Sequence, residues 1–340
     1  MDDAATYRDQ LLALKQRLVT GCEDHWILMA PSSLGELATI SALGTAFRKH
    51  HGGKVCIVVD DAKAPLLSLF PGRFDVVKRA PIGAMRALSV HRIIDPLRFE
   101  RGEPQNLWIN QNGDGRGLSL HELYVQQPGR GGLSFDDMTR YAMRLPWDAP
   151  LDRGAVSLNL QIEAAMLADA NGVTPGSSVI LFPANNTNKP ADAEVWRQLA
   201  EAFIERGKAV FYCTHGGLFQ PPGLNIPGRQ LHLSPSLAVA VCDIAGHMVS
   251  GANGLTSLSL MTRTRFSMDI LLANAACVLG VGDFKPINPL TSSTLACAPA
   301  MVDGASRRYA EWDTTSDQAD PAAIARRIAE ADGHAERGGD

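Results

Sequence analysis

The sequence is poor in the residues that build metal centres and disulfide frameworks. It contains six cysteines and nine histidines among 340 residues. No C-x-x-C pair and no H-x-x-x-H or H-E-x-x-H spacing occurs, which argues against a zinc site and against a disulfide framework. Most of the cysteines lie inside apolar runs, so we expect buried, reduced thiols of the kind found in cytosolic proteins.

A strong net charge and a long apolar run are also missing. The formal net charge is -4, which argues against a general binder of nucleic acid or of anionic membranes. The longest apolar stretch, 270–282, is interrupted by Asn274 and is shorter than the ~20 residues that span a bilayer. The opening residues MDDAATYRDQ have no basic and apolar leader pattern. We expect a cytoplasmic protein with no nucleic-acid partner and at most peripheral membrane contact.

Several motifs that mark common enzyme classes are absent. The chain has no G-x-S-x-G elbow and no G-x-x-x-x-G-K-[ST] loop, which disfavours hydrolases of that type and P-loop ATPases. After the first predicted strand, only Gly35 is present where a dinucleotide-binding fingerprint needs three glycines. We therefore expect no nicotinamide cofactor, and the spacing of the histidines predicts no metal.

What the sequence does contain is an alternation of short apolar strands with segments of helix length, which predicts βαβ units on parallel sheets. An amphipathic helix at 2–19 precedes predicted strands at 26–30, 55–59, 76–77 and 92–95. After a linker-like stretch, 146–154, the pattern restarts with strands at 178–182, 209–213 and 247–250. We expect two Rossmann-like domains, 1–150 and 151–332, whose sheets face each other across a cleft, and a disordered tail at 333–340. Ligands bind at the carboxyl ends of strands in such sheets.

One carboxylate lies at the carboxyl end of the first predicted strand. Ser33, Gly35 and Glu36 form the strand-to-helix loop of the first domain. A carboxylate in the first turn of a helix commonly just compensates the helix dipole. The alternative is a general base that faces the cleft and takes a proton from a hydroxyl group.

Polar loops follow the strands of the second predicted domain. Asn185, Asn186, Thr187 and Lys189 offer amides, a hydroxyl and an ammonium group to a phosphate, although Asn is also common in ordinary turns. Backbone amides and hydroxyls at the start of the next helix suit an anion, or simple helix capping; these residues are Asn253, Gly254, Leu255, Thr256 and Ser257. A weaker candidate, for contact with a nucleoside, is Thr214, His215 and Gly216.

Three segments together resemble the ADP-heptose lipopolysaccharide heptosyltransferases, which are GT-B glycosyltransferases of family 9. The first is APSSLGELATISALGTAFRKHHGGKVCIVV, similar to the family's opening strand, S-x-G-D loop and helix. The second, SVILFPANNTNKPADAEVWRQLAEAFIERGKAVFYC, resembles the strand, phosphate loop and W-x-x-L-A helix that open its second domain. The third, LSPSLAVAVCDIAGHMVSGANGLTSLSLM, resembles the D-[ST]-G-x-x-H-L turn that meets the donor diphosphate.

The resemblance implies the GT-B architecture and roles for particular residues. Glu36 stands where the family has a catalytic Asp, and Lys189 matches a phosphate-contacting lysine. In the donor turn, Ala252 and Ser257 replace the family's Asp and His. This departure points to a different nucleotide sugar or a different way of holding it.

These features predict an inverting, metal-independent glycosyltransferase. It would move a heptose-like sugar from a nucleotide-diphosphate donor, with an ADP-sugar favoured, to a hydroxyl of a glycan, lipid-linked or protein acceptor. Two alternatives remain at the level of the sequence: a sugar-nucleotide epimerase on the same scaffold, and a non-catalytic binding or assembly subunit.

Overall fold

The chain consists of two compact units. Its structure, a computed structural model, describes residues 2–95, 97–107, 135–184, 191–214, 221–251, 253–272, 309–313 and 321–335. The units are Met1–Ala155 and Val156–Asp340. Each contains a parallel β-sheet with helices packed on it, so the predicted α/β fold class is confirmed.

The first unit is built on a four-stranded parallel sheet in the order β3-β2-β1-β4. Its strands, with a short β5 that precedes the second unit, are β1 His25–Met29, β2 Lys54–Val59, β3 Val76–Arg79, β4 Pro104–Asn106 and β5 Gly154–Ala155. Its α-helices are α1 Asp2–Val19, α2 Leu34–Ala42, α3 Gly44–His51, α4 Ile82–Val90 and α5 Phe135–Ala142, and a 3-10 helix spans Ala64–Leu69.

Helices α1 and α4 share a hydrophobic core with β1 and β2. Leu11, Leu14 and Leu18 of α1 are buried in this core, together with Ile27 of β1 and Met85 of α4. Their spacing confirms the predicted amphipathic opening helix, because residues three and four apart share one face. Burial of each such side chain contributes roughly 1.5–3 kcal/mol.

One predicted strand of this unit is wrong. Residues 92–95 form a turn after α4, and the fourth strand is Pro104–Asn106. Arg92 has a φ of 54°, which lies in the left-handed region and cannot continue a strand. The N–H groups of Ile93 and Ile94 donate to the carbonyl of Leu88 and so close the C-terminal end of α4. Their side chains are buried in the core.

The second unit has a six-stranded parallel sheet in the order β12-β11-β9-β6-β7-β8. Its strands are β6 Ser178–Phe182, β7 Ala209–Tyr212, β8 Arg229–Gln230, β9 Gly246–Gly251, β10 Thr262–Arg263, β11 Ser267–Leu272 and β12 Tyr309–Asp313, of which β10 lies outside this sheet. Its α-helices are α6 Leu158–Asn171, α7 Ala193–Glu205, α8 Pro235–Ala245, α9 Gly254–Leu260 and α10 Pro321–Ala335.

Helix α7 covers the middle of this sheet. Trp196, Leu199 and Phe203 of α7 are fully buried in one cluster with Val179 of β6 and Ile328 of α10. Helix α10 runs to Ala335 and so includes residues 333–335, the first residues of the tail that the sequence predicts to be disordered. Residues 336–340 lie outside the described residues. Across the part of the chain that is described, no helix is long and apolar enough to cross a membrane.

Candidate active site

The connection from β1 to α2 carries the predicted catalytic carboxylate. Ser33 is the N-cap residue of α2, and its Oγ accepts the N–H of Glu36 at 3.4 Å. The N–H of Ser33 in turn donates to Oε2 of Glu36 at 2.5 Å. This reciprocal arrangement is a capping box, which the S-x-x-E spacing favours. Gly35 lies in the same first turn, where its carbonyl accepts the hydroxyl of Thr39 at 3.0 Å. Glu36 thus has the ordinary capping role while lying at the carboxyl end of a parallel strand.

Glu36 is almost completely removed from solvent, with a relative exposure of 1%. Burial raises the pKa of its carboxyl group, because a charged group loses its hydration there. Hydrogen bonds from the Ser33 main chain and the Ser32 hydroxyl and the positive charge of Lys63 act in the opposite direction on this pKa. The pKa of this carboxyl group therefore lies above its ordinary value, which is the direction of shift that general acid–base catalysis by glutamate uses.

Lys63 and Arg86 hold the loop that precedes Glu36. Lys63 follows β2, in a turn where the Oδ1 of Asp60 accepts the N–H of Ala62 at 3.1 Å. Its Nζ donates to the carbonyl oxygen of Ser32. Arg86 comes from α4, which follows β3, and its Nη2 donates to the carbonyl oxygen of Pro31 at 3.2 Å. Connections after three strands of the sheet thus converge on this loop.

Both cations are themselves partly withdrawn from water. Burial lowers the pKa of Lys63, while the negative charges of Asp60 and Glu36 raise it. Burial also lowers the pKa of Arg86, against the effect of Glu36. The first unit thus gathers one buried carboxylate and two half-buried cations at the carboxyl edge of its sheet.

In the second unit, the turn after β9 is organised by Asn253. The Oδ1 of Asn253 accepts the N–H groups of Leu255 at 3.0 Å and of Thr256 at 3.1 Å, which caps α9. Thr256 is buried, and its hydroxyl donates to the carbonyl of Gly251 at 2.8 Å. The hydroxyl of Ser257 donates to the carbonyl of Asn253 at 3.5 Å. Amides that were expected to meet a diphosphate are therefore bonded to the Asn253 side chain here.

The structure brings this turn next to the start of the predicted phosphate loop. Nδ2 of Asn253 lies 3.4 Å from the carbonyl oxygen of Ala184, which follows β6, and β6 and β9 are neighbours in the sheet. Gly254 is the first residue of α9 and is half-buried. The remaining predicted members of the phosphate loop and turn lie outside the described residues: Asn185, Asn186, Thr187, Lys189 and Ala252.

The predicted nucleoside contact is described at Thr214 alone. Thr214 follows β7, and its hydroxyl oxygen accepts the side-chain amide of Gln230 at 3.0 Å. Because β7 pairs with β6, Thr214 lies at the same edge of the sheet as Ala184. His215 and Gly216 are outside the described residues.

The described side chains were also compared with the requirements of a metal site. Within those residues, no three His, Cys, Asp or Glu side chains are grouped so that they could hold a metal ion.

Sequence reasoning missed the two cations of the first unit. Lys63 and Arg86 are 27 and 50 residues from Glu36 in the numbering, and neither belongs to a recognisable motif. The available signal was topological: each lies in the connection that follows a parallel strand, Lys63 four residues after β2 and Arg86 seven residues after β3, and side chains from neighbouring connections meet at that edge of a sheet.

Comparison with known proteins identifies the class of fold. No family model and no curated protein matches the chain. Solved structures of glycosyltransferases do match it, and these are enzymes with the GT-B architecture. The chain therefore has a GT-B glycosyltransferase fold.

The particular structures that it resembles are heptosyltransferases and a member of their family. The ADP-heptose lps heptosyltransferase II of E. coli gives a TM-score of 0.55 at 12% identity, covering 92% of this chain and 99% of that one. The glycosyl transferase family 9 protein from Veillonella parvula DSM 2008 gives 0.53 at 10% identity, covering 91% of each chain. The E. coli heptosyltransferase WaaC with ADP gives 0.50 at 13% identity, covering 91% and 98%. The predicted resemblance to this family is confirmed as a resemblance of fold.

Proposed function

We propose that this protein is an inverting glycosyltransferase that uses a nucleotide-diphosphate sugar. The observation that carries the proposal is the fold match, which covers more than nine-tenths of the chain and of glycosyltransferases of similar length. The buried carboxylate of Glu36, at the end of the first parallel strand, supplies a group suited to proton removal.

In the proposed reaction, an acceptor hydroxyl attacks the anomeric carbon of the donor sugar. The new bond joins the acceptor oxygen to that carbon, the bond from the carbon to the diphosphate breaks, and the hydroxyl proton passes to the Glu36 carboxylate. Attack from the face opposite the leaving group inverts the configuration. Since Glu36 is buried in its capping box, the acceptor must take over the position of a present contact before the proton can move.

Charge that develops on the leaving diphosphate needs preorganised donors, the electrostatic role that usually contributes most to catalysis. We assign this role to Lys189, to the loop Asn185–Thr187, and to the turn from Asn253 to Ser257, without a metal ion. The contact of Asn253 with Ala184 supports a common position for the two loops. The side chain of Asn253 must then leave the amides of Leu255 and Thr256 if these bind the donor.

The favoured donor is an ADP-sugar with a heptose-like ring. This choice is supported by two of the structures that share the fold, one described as an ADP-heptose heptosyltransferase and one as a heptosyltransferase with ADP. The acceptor is assigned only as a hydroxyl of a glycan, lipid-linked or protein substrate, with cytoplasmic action as part of the proposal.

A non-catalytic binding subunit is the second candidate. Two observations favour it: the Glu36 carboxylate is engaged as a helix cap, and the amides at the start of α9 are bonded to Asn253. Both residues have complete structural roles without a substrate.

A two-stage experiment separates these functions. Thermal-shift measurements with ADP-, UDP-, GDP- and CMP-sugars identify the donor, because a ligand that binds only the native protein raises its melting temperature. The selected donor is then incubated with and without candidate acceptors, in the presence and absence of a chelator. We expect transfer with inversion that the chelator does not alter. Conversion of the donor without an acceptor would identify an epimerase, and binding without conversion would identify a non-catalytic subunit.

A further inference from the structure

Two cations and one carboxylate in the first unit are joined through a single stretch of main chain. Lys63 donates to the carbonyl oxygen of Ser32, and Arg86 donates to that of Pro31. These are consecutive carbonyl groups, and they immediately precede the N–H that binds Glu36. The three side chains come from different connections of the sheet, so the arrangement is a product of the fold.

The contact made by Lys63 acts on the same peptide group as the contact made by Glu36. The carbonyl of Ser32 and the N–H of Ser33 belong to one planar peptide unit. Lys63 binds its oxygen and Glu36 binds its nitrogen-bound hydrogen. Because the peptide group is planar and rigid, a bond that fixes the direction of the Ser32 carbonyl also fixes the direction of the Ser33 N–H. Withdrawal of electron density by the ammonium group also strengthens the N–H as a donor, since linked hydrogen bonds polarise one another.

The charges of this cluster also favour the ionised form of Glu36. A positive charge close to a buried carboxylate offsets part of its desolvation, and the charge of Lys63 acts on Glu36 in this sense. The charge of Arg86 interacts with Glu36 as well. The charge of Asp60 stabilises the protonated form of Lys63.

Charged groups on the other helices that pack against α2 are engaged elsewhere or exposed. On α5, Arg140 bonds to Asp136 at 3.0 Å and to Asp137 at 2.9 Å. On α3, Arg48 pairs with Asp75 at 3.1 Å, and the Nε2 of His51 contacts the carbonyl of Met143 at 2.9 Å. Lys49 and His50 of α3 are exposed to solvent.

We propose that Lys63 and Arg86 are positioning residues for Glu36, which hold the carbonyl groups of Pro31 and Ser32 in place and favour the ionised form of the buried carboxylate. The consequence for sugar transfer rests on the proposed function, whereas the consequence for the protonation of Glu36 does not. The two cations offset part of the rise in pKa that burial causes, and so lower the pH above which Glu36 can accept a proton, without touching the substrate.

The direct test is a titration of Glu36 in the full chain. Glutamate labelled with ¹³C at the side-chain carboxyl gives one NMR signal for each residue, and the signal absent from E36Q belongs to Glu36. We expect the midpoint for Glu36 to move to higher pH in K63M and, by a smaller amount, in R86M. K63R keeps the charge and is expected to leave the midpoint close to that of the wild type. An unchanged midpoint in both K63M and R86M overturns the proposal.

Variants of Arg86 provide an independent test, because Arg86 lies on a different element from Lys63. If K63M does not fold, R86M and the conservative variant R86K give the same comparison. A midpoint that moves equally in R86K and R86M would indicate a packing effect and would overturn the role of charge.

Transfer activity provides the second measurement. With Lys63 removed, we expect kcat near neutral pH to fall by up to about 10²-fold, the loss that a misplacement of about 1 Å can cause, with an unchanged KM for the donor. Raising the pH should recover part of kcat in K63M. A moved Glu36 midpoint in a protein that transfers no sugar would reject the proposed function and retain the positioning role. Active transfer with the same acid limb in K63M and wild type would reject the positioning role alone.

Discussion

The side-chain amide of Asn253 lies 3.4 Å from the carbonyl oxygen of Ala184, so one residue both caps α9 and joins the turns that follow β6 and β9. Its oxygen and its nitrogen have separate partners. The oxygen accepts the amides of Leu255 and Thr256, and the nitrogen donates to Ala184 and to the hydroxyl of Ser250. This division allows the two roles to be separated by substitution.

Asn253→Ala should lower the free energy of unfolding by about 1 kcal/mol, the usual cost of losing an N-cap side chain. Asn253→Asp keeps an oxygen that can cap and replaces the donor to Ala184 with a negative charge. Chemical denaturation should therefore place N253D above N253A in stability, whereas calorimetry should show weaker ADP binding by N253D than by N253A. Equal ADP affinity in both variants would contradict a diphosphate site at this turn.

Glu36→Gln tests the chemistry of the carboxylate separately from its structural role. Gln retains an oxygen that can accept the N–H of Ser33, so the capping box should persist. We expect E36Q to fold, to bind the donor with wild-type affinity and to transfer sugar about 10²- to 10⁴-fold more slowly, the usual contribution of a general base. A wild-type rate of transfer in E36Q would show that Glu36 is only a cap.

The stability of the wild type should depend on pH through Glu36. Its folded-state pKa is raised by burial above the ordinary value of 4.5, so the native state holds the proton more tightly than the unfolded chain. The resulting stabilisation is complete below the unfolded pKa and is lost as the pH rises through the folded pKa. Each pKa unit by which the folded-state value exceeds the unfolded-state value contributes about 1.4 kcal/mol to the free energy of unfolding at low pH.

Comparison with E36Q isolates this contribution. The free energy of unfolding of E36Q minus that of the wild type should increase with pH over this window and then level off. Urea denaturation at several pH values measures the difference. A difference that stays constant with pH would mean that Glu36 has the same pKa in both states.

Gly154 is a position where a side chain cannot be accommodated. A Cβ added there would overlap the carbonyl oxygen of Leu69 and come within 2.9 Å of the Phe70 ring. Gly154→Ala should therefore cost about 1–3 kcal/mol, as overpacking does. Gly83 is the matched control, since a Cβ there meets nothing within 4 Å and Ala favours a helix over Gly by up to about 1 kcal/mol. Thermal denaturation of G83A should show a melting temperature equal to or above that of the wild type.

The sequence predicted the strands that consist mainly of apolar side chains. Val55–Val59 and Ser178–Phe182 are buried strands as expected, because strands covered on both faces consist of continuous hydrophobic runs. The strand Pro104–Asn106 was missed, since its sequence PQN contains no run of apolar side chains and its place is fixed by pairing with β1. The strand Ser267–Leu272 was also missed. It includes Asp269, a charged residue whose burial depends on a partner from β9, His247 Nε2, at 2.6 Å.

The candidate site was predictable only where a single loop contains it. Ser33 and Glu36 are three residues apart, and the local S-x-x-E pattern determines their contact. Lys63 and Arg86 reach the same loop because β2 lies beside β1 and β3 lies beside β2 in the sheet, and strand order is not encoded in the spacing of charged residues. Composition and periodicity therefore predict that a carboxylate lies at the edge of the sheet, but they do not predict the cations that accompany it.

The capping box also makes the Ser33 amide a natural reporter. In the free protein this hydrogen is held by Glu36, so it should exchange with deuterated solvent slowly. An acceptor that draws the carboxylate away would release it, and the exchange rate at this one amide would rise when both substrates are bound. Hydrogen exchange at the Ser33 amide can therefore report the binding of substrate at Glu36, without any chemical label at the site.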